Sequence, residues 1–117
     1  MEAPKEISVS EELLHWKTRV EKVKEYVSEN PGGDLNITTV SEKFNLNKFT
    51  LQHIFRVQEQ ETYREYVERI RMEKALQLLK EGKWVNEVMD ATGYKNRGTF
   101  NSAFKKRYGL SAKFFKK

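Results

Sequence analysis

Residues 93–111 read GYKNRGTFNSAFKKRYGLS, a pattern that predicts a turn followed by one helix. Glycine opens the turn, and Asn96 is a typical helix N-cap because its side-chain oxygen accepts a backbone N–H. The apolar residues after it recur three and four apart, as on the buried face of a helix that ends near Tyr108. They are Phe100, Ala103 and Phe104. With a shorter helix at about residues 85–92, this stretch predicts a helix-turn-helix.

An earlier segment repeats this pattern more weakly. Two short helices are predicted near residues 39–44 and 47–57, on either side of a tight turn in which asparagine tolerates a left-handed backbone. The two units align at three pairs of apolar residues, with one extra residue in the second turn. The pairs are Val40 with Val88, Leu51 with Phe100, and Phe55 with Phe104. The repeat therefore predicts two exposed second helices, and such a helix is the part that enters the DNA major groove.

The outward faces of both second helices are mostly polar, because the 3.6-residue period places these side chains opposite the apolar ones. In the first unit they are Lys48, Phe49, Gln52, His53 and Arg56. In the second unit they are Arg97, Gly98, Asn101, Ser102 and Lys105. One such helical hairpin is weak evidence for DNA binding, but two copies with polar outward faces are considerably more specific.

The remainder of the chain is also predicted to be helical. Residues 1–9 are interpreted as a flexible lead-in, and Ser10 as the N-cap of a first helix, with Ser8 and Glu11 able to form a capping box. That helix is expected to run to Asn30, where Asn-Pro-Gly-Gly stops it. A longer helix over residues 62–80 joins the two units and ends at Gly82. Its expected core contacts are Tyr63, Tyr66, Val67, Ile70, Leu76 and Leu79.

The sequence thus predicts an all-α protein with about seven helices. We divide residues 10–117 into a first subdomain (10–61), a linker helix (62–80) and a second subdomain (81–117). The apolar residues of the first helix fall three and four apart, at Leu13, Trp16, Val20, Val23 and Val27. Two interpretations stay open for that helix. It packs on its own domain, or Leu13 and Trp16 continue a helix that enters from an upstream domain or a dimer partner.

The charge of this chain is strongly polarised along its 117 residues. Residues 91–117 hold eight basic residues and no acidic one, whereas residues 1–46 hold nine acidic and six basic residues. A basic face on a folded helical unit is the electrostatic footprint of a nucleic-acid-binding protein. The overall formal charge of +5 hides this asymmetry.

Composition excludes several other classes of protein. Since the chain has no cysteine, disulfides, thiolate zinc sites and thiol catalysis are excluded. No apolar run approaches the roughly 20 residues of a membrane helix, and no signal peptide begins the chain, so the expected location is the cytoplasm. The two histidines, His15 and His53, lack metal-ligand spacing, and no phosphate-binding loop or nucleophile motif is found. We therefore expect neither an enzyme nor a cofactor.

Three stretches of the sequence carry a resemblance to a known family. They are NKFTLQHIF (47–55), YVERIRMEKA (66–75) and the segment 93–111, whose Gly-aromatic, Phe and Phe-Lys-Lys pattern is the most specific. From about Arg19 onward the chain resembles the DNA-binding domain of the AraC/XylS family of bacterial transcription regulators. The resemblance implies two helix-turn-helix subdomains, bridged by the helix over residues 62–80, which insert one helix each into successive major-groove segments on one DNA face.

The resemblance also assigns roles to single residues. The base-reading positions fall on Phe49, Gln52 and His53 in the first unit, and on Arg97, Gly98, Asn101 and Ser102 in the second. Amide side chains suit adenine, arginine suits guanine, and a phenyl ring suits the thymine methyl group. Contacts to phosphate, which set affinity and register, are expected from Lys48, Arg56, Lys95, Lys105, Lys106 and Arg107.

The sequence departs from the family pattern in four places. After the first recognition helix, residues 57–63 read VQEQETY where the family usually has an apolar-Gly-apolar turn and Ser-Pro. The segment has no glycine for the turn, and its two glutamates would repel phosphate. We expect the second unit to supply most of the electrostatic attraction and the first to supply selectivity, unless it is degenerate. The other departures are expected to be repacking: Met89 for Ala, Ala112 for Pro, and Phe115-Lys116 for Tyr-Arg.

Two alternative functions remain open at this point. One is a helical interaction module that docks an acidic partner such as an RNA polymerase subunit, in which case loss of Arg97 and Gln52 would leave partner binding intact. The other is sequence-tolerant RNA or membrane binding, which needs only charge. The family's separate sensing or dimerisation domain has no counterpart in these residues, so the chain is a stand-alone activator or, as Leu13 and Trp16 favour, a fragment of a longer regulator.

Overall fold

The computed structural model describes residues 9–115, with side chains from His15 onward. Within those residues the chain forms six α-helices and a final 3-10 turn, and no strand. The elements are α1 (Val9–Glu29), α2 (Ile37–Lys43), α3 (Lys48–Glu59), α4 (Tyr63–Lys80), α5 (Val85–Thr92), α6 (Arg97–Tyr108) and the 3-10 turn Ala112–Phe114. The prediction of an all-α protein with about seven helices is confirmed.

Side-chain caps fix where most of these helices begin. The Asn47 side chain accepts hydrogen bonds from the backbone N–H groups of Phe49 and Thr50, at 2.9 and 3.1 Å. The Asn96 side chain caps α6 in the same way. At the start of α4, the Thr62 hydroxyl accepts from the Glu65 N–H at 3.0 Å, while the Glu65 carboxylate accepts from the Thr62 N–H at 2.8 Å. Each cap satisfies backbone donors that have no partner inside the helix.

Two predicted helix starts were wrong. The prediction that Ser10 is the N-cap of α1 fails because the chain is already helical at Val9. Helix ends are held by few hydrogen bonds, so a boundary there shifts by a residue or two at little cost. The predicted Ser8–Glu11 capping box and most of the predicted lead-in lie outside the described residues. Helix α2 begins at Ile37, two residues early, because the Asn36 side chain caps it by accepting the Thr38 N–H.

The buried apolar side chains fall into two clusters, and α4 contributes to both. The first cluster contains Val20, Val23, Val27, Leu35, Val40, Leu46, Leu51, Phe55, Tyr63, Tyr66 and Val67. The second contains Met72, Ala75, Leu79, Val88, Met89, Phe100, Phe104 and Ala112. All six residues paired in the sequence repeat are fully buried, as the pairing predicts. Met72 and Ala75 were missed by the sequence analysis, whereas Ile70 and Leu76 are only partly buried.

Helix α1 packs on its own unit from Trp16 onward. Val20, Val23 and Val27 are fully buried in the first cluster, and Trp16 is partly buried against it. The side chain of Leu13 lies outside the described part. Among the substitutions expected to be repacking, Met89 and Ala112 are buried in the second cluster, and Phe115 packs against that cluster.

In the turn between α3 and α4, Gln60 takes the position expected for a glycine. This residue ends α3 in the left-handed conformation, with φ of 57°. That conformation costs roughly 1–2 kcal/mol for a residue with a Cβ atom, because the Cβ crowds the following carbonyl. Gln60 therefore forms this turn at an energetic cost that a glycine would not incur.

Replacing Gln60 with glycine should raise the free energy of unfolding by about 1 kcal/mol, since it removes this strain. Urea unfolding followed by circular dichroism measures the change. Gln58→Gly, two residues earlier inside α3, is the matched control and should lower stability by about 1 kcal/mol. A loss of stability in Gln60→Gly comparable to that of the control would contradict the strain at this turn.

The two glutamates beside that turn are paired within the protein. The Glu59 carboxylate lies 3.0 Å from the Lys24 ammonium on α1, and the Glu61 carboxylate lies 2.8 Å from the Arg69 guanidinium on α4. Burial lowers the pKa of Lys24, but the hydrogen bond and the charge of Glu59, together with the charge of Glu21, outweigh burial and the pKa is raised. The Glu61 hydrogen bond likewise raises the pKa of Arg69. Because cations offset both carboxylates, they repel phosphate less than the sequence suggests.

Tyr63 couples the stability of the first cluster to alkaline pH. Its buried hydroxyl donates to the Leu35 carbonyl at 2.8 Å, and burial raises its pKa well above the ordinary value of 10. The folded state therefore keeps a proton that the unfolded state releases, so this contribution is complete below about pH 10 and is lost as the pH rises further.

We expect Tyr63→Phe to cost about 1–3 kcal/mol at neutral pH, because the Leu35 carbonyl loses its buried donor. The variant should also lose less stability than the parent when the pH is raised from 7 to above 10. Denaturant unfolding at several pH values measures both effects. Parallel curves for the two proteins would show that Tyr63 does not carry the alkaline dependence.

Candidate nucleic-acid interface

The second helix of each unit, α3 or α6, turns one face to its core and the other to solvent. Leu51 and Phe55 on α3, and Phe100 and Phe104 on α6, are fully buried. Since these residues fix the orientation of both helices, the residues on the opposite faces point outward. The sequence prediction that these faces are exposed is confirmed for most positions.

The outward face of α3 carries the predicted residues of the first unit. Gln52, His53 and Arg56 are exposed, and Phe49 keeps 68% of its surface accessible. The Lys48 side chain is partly buried, with its ammonium nitrogen 5.4 Å from the centre of the Phe49 ring. An exposed aromatic ring can contact the thymine methyl group in the major groove, and a cation beside it can contact a phosphate.

The second unit exposes nearly all of its predicted residues. These are Lys95, Arg97, Gly98, Ser102, Lys105, Lys106 and Arg107. Asn101 is partly buried. The Arg97 guanidinium donates a hydrogen bond to the side-chain oxygen of Asn86 on α5. Arg97 is therefore held at the first turn of α6 by the preceding helix, and its remaining donors stay available to a partner.

Gly98 has one close neighbour, the side chain that caps α6. A Cβ atom at this position would meet only the Asn96 side-chain oxygen, at 3.1 Å. Its backbone φ lies outside the left-handed region, so other residues can adopt it. The glycine leaves the surface of α6 open beside Arg97, which permits close approach of a partner.

A groove of about 1270 Å³ lies between α3 and α6. It brings Gln52, His53 and Arg56 of the first unit to the same opening as Lys95 and Thr99 of the second. Its floor is the face of α4 that carries Arg64, Glu68 and Arg71. Of the candidate residues, these three of α3 and Lys95 line the groove, whereas Arg97, Asn101 and Ser102 lie outside its lining.

Arg64 was missed by the sequence analysis. It is exposed and lines the groove, together with Glu68 and Arg71 at spacings of four and seven along α4. This helical period was present in the sequence. The prediction for α4 considered only its apolar residues, so this polar face was not recognised.

Positive charge from both units acts on the first turn of α4. The pKa of Glu65 is lowered, chiefly by its hydrogen bond with the Thr62 backbone and further by the charges of Arg56 and Lys106. Arg56 belongs to α3 and Lys106 to α6, so these basic side chains face a common region. The three basic residues that end α6 also complement the negative end of that helix dipole.

Comparison with known proteins decides the family. Residues 40–117 match a family model described as a helix-turn-helix domain. The chain belongs to the AraC-type helix-turn-helix family. It is therefore an AraC-type DNA-binding domain, and the predicted family resemblance is confirmed.

A curated relative of this AraC-type domain is the Msm operon regulatory protein of Streptococcus mutans. The two are 29% identical over 102 residues, which make up 86% of this chain and 37% of that protein. The chain thus spans little more than a third of the length of this relative.

Solved structures share the fold of this AraC-type domain. The C-terminal domain of AraT, a response regulator from Geobacillus stearothermophilus, is 26% identical with a TM-score of 0.79, over 83% of this chain and 82% of that one. The C-terminal domain of the response regulator yesN from Fusobacterium nucleatum is 25% identical, with a TM-score of 0.76, over 83% and 96%. An AraC-type regulator from Chromobacterium violaceum shares the fold at 15% identity, with a TM-score of 0.77, over 86% and 91%.

Proposed function

We propose that this AraC-type domain reads duplex DNA in a sequence-specific manner, with α3 and α6 in successive major-groove segments on one DNA face, and so regulates transcription of bacterial genes. The observation that carries the proposal is the pair of second helices, each buried on one side and exposing a mostly polar face on the other. The major groove accepts one helix, and side chains near its N-terminus reach the base edges. Two helices on one rigid domain read two blocks.

The residue roles in this proposal follow from side-chain chemistry. Bases are contacted by Phe49, Gln52, His53, Arg97, Gly98, Asn101 and Ser102. Phosphates are contacted by Lys48, Arg56, Lys95, Lys105, Lys106 and Arg107, to which we add Arg64 on the floor of the groove. The partly buried positions, Lys48 and Asn101, act through the ends of their side chains.

The surroundings of the domain are part of the same proposal. We place the protein in the cytoplasm, and none of the described helices is long and apolar enough to cross a membrane. The subdomains comprise residues 10–61 and 81–117, with 62–80 as the linker helix. A sensing or dimerisation domain joined to this one, and RNA polymerase as a second partner, complete the expected regulator. The length of the Streptococcus mutans relative supports a longer protein of this kind.

Selection of bound duplexes from a randomised DNA pool, at roughly physiological salt, tests the proposal. The expected result is a motif with two short blocks about one helical turn apart, each assigned to its helix by mutation of Gln52 or Arg97. One block alone would show that the first unit no longer reads sequence. No enrichment would overturn the proposal and favour the interaction module that docks an acidic partner.

Lys106→Gln should reduce the salt dependence of DNA binding. If Lys106 neutralises one phosphate, the slope of log K against log salt should become shallower by about one unit, with base preference unchanged. Fluorescence anisotropy at several salt concentrations measures the slope. Lys22→Gln is the matched control, because Lys22 is an exposed lysine on α1, outside the proposed contacts. Equal slopes for the two variants would remove Lys106 from the phosphate contacts.

A further inference from the structure

One side chain of the connecting helix contacts both helix-turn-helix units. On α4, Arg71 donates from Nε to the Pro31 carbonyl at 2.9 Å and from a terminal nitrogen to the Gly33 carbonyl at 3.0 Å. Both carbonyls belong to the loop between α1 and α2 in the first unit. The Arg71 guanidinium carbon also lies 5.9 Å from the ring centre of Tyr94, in the turn of the second unit.

The same loop is pressed against the end of α5. A Cβ atom on Gly32 would lie 2.7 Å from the Ala91 carbonyl oxygen and 3.1 Å from that of Asp90, so only glycine fits there without movement of the backbone. In the turn between α5 and α6, a Cβ atom on Gly93 would come within 3.1 Å of the Arg71 guanidinium. The loop, Arg71 and the α5–α6 turn therefore form one close contact between the units.

We infer that Arg71 is a positioning residue that fixes the distance and angle between α3 and α6, and thereby sets the spacing of the two DNA blocks that the domain reads. The two helices belong to separate apolar clusters that meet along α4. The planar guanidinium fork gives two hydrogen bonds of fixed direction, which a flexible ammonium cannot reproduce. Arg71 thus braces the two clusters across the groove.

The geometry of the DNA duplex makes binding sensitive to the distance and angle between α3 and α6. Adding one base pair between the blocks moves them apart by about 3.4 Å and rotates one against the other by roughly 35°. A rigidly joined pair of helices loses affinity for the altered spacing, whereas a loosely joined pair can adjust to it. The DNA part of this inference rests on the proposed function, but the bracing itself does not.

Four variants separate the brace from general damage. Arg71→Met removes the fork and keeps the length of the side chain, and Arg71→Lys keeps the charge and one donor. Gly32→Ala disrupts the contact between the α1–α2 loop and the end of α5. Gly33→Ala is the matched control, because its added Cβ would meet only Asn30 of its own loop, at 3.3 Å from the carbonyl oxygen.

The brace is tested without DNA by a distance measurement between the units. The chain has no cysteine, so Glu42→Cys on α2 and Lys105→Cys on α6 provide two exposed sites for spin labels. Pulsed electron resonance should give a narrow distance distribution for the parent and for Gly33→Ala. Arg71→Met and Gly32→Ala should at least double its width, with Arg71→Lys in between. Equal widths in all five proteins would overturn the inference. Circular dichroism verifies that each variant is folded.

Binding to duplexes of altered spacing gives the second test. The parent should lose at least about tenfold in affinity when one base pair is added to or removed from the selected spacer, the size of a typical mismatch penalty. In Arg71→Met that penalty should shrink to under about threefold, with Arg71→Lys restoring part of it. An equal loss on all three spacers would make Arg71 a phosphate contact and overturn the inference. If the parent selects no DNA, the proposed function fails while the distance measurement still decides the brace.

Discussion

Phe104→Ala should destabilise the domain by about 3–5 kcal/mol and abolish specific DNA binding by the second unit. Phe104 is fully buried, and its ring centre lies 4.8 Å from that of Tyr108, 5.6 Å from Phe115 and 5.9 Å from Phe100. Removal of the ring leaves a cavity among these aromatic side chains. Because a domain of this kind is stable by only about 5–15 kcal/mol, such a loss endangers the orientation of α6.

Urea unfolding followed by circular dichroism measures this effect. Phe114→Ala is the matched control, since Phe114 keeps 66% of its surface exposed and should change the free energy of unfolding by less than about 0.5 kcal/mol. In the first unit, Phe55 and Phe49 on α3 form the equivalent buried and exposed pair. Losses of similar size in Phe104→Ala and Phe114→Ala would contradict the packing described for the second cluster.

Arg97→Ala should weaken binding to the selected duplex by about 1–3 kcal/mol, roughly 5–150-fold, and relax the preference at one base pair. Arginine reads guanine through two parallel hydrogen bonds, and alanine leaves those acceptors without a partner. Competition binding against duplexes with each position of the second block replaced in turn locates the base pair. An equal loss on every duplex would make Arg97 a phosphate contact.

Asn86 provides a further control on Arg97. Because the Asn86 side chain accepts a hydrogen bond from the Arg97 guanidinium, Asn86→Ala releases this tether and leaves the base-reading group in place. We expect a smaller loss than in Arg97→Ala, at the same base pair. Loss at a different base pair would show that Asn86 itself reads DNA.

Much of the candidate interface could be predicted from short stretches of sequence. The spacing of Phe100 and Phe104 fixed which face of α6 is buried, so exposure of Arg97 and Ser102 followed. Caps such as Asn96 fixed where that helix begins. The start of α2 was misjudged because Asn36 was not considered as a cap, although the residue type is favourable.

Other features depended on residues that are distant along the chain. The negative charge expected at Glu59 is offset by Lys24 of α1, which lies 35 positions earlier. No local pattern links these two residues, since helical periodicity relates only neighbours within a few turns. The repulsion of phosphate that the sequence suggested is therefore reduced only when α1 and α3 pack together.

The sequence by itself determined the helices, their buried and exposed faces, the repeat and the polarity of charge, because periodicity and caps act within a few residues. Only the tertiary structure decided how the two outward faces stand relative to each other. That relation depends on Arg71, whose hydrogen bonds to Pro31 and Gly33 span 40 and 38 positions, and on backbone contact at Gly32. Such contacts form only after both clusters have packed on α4, so their partners cannot be deduced from local spacing.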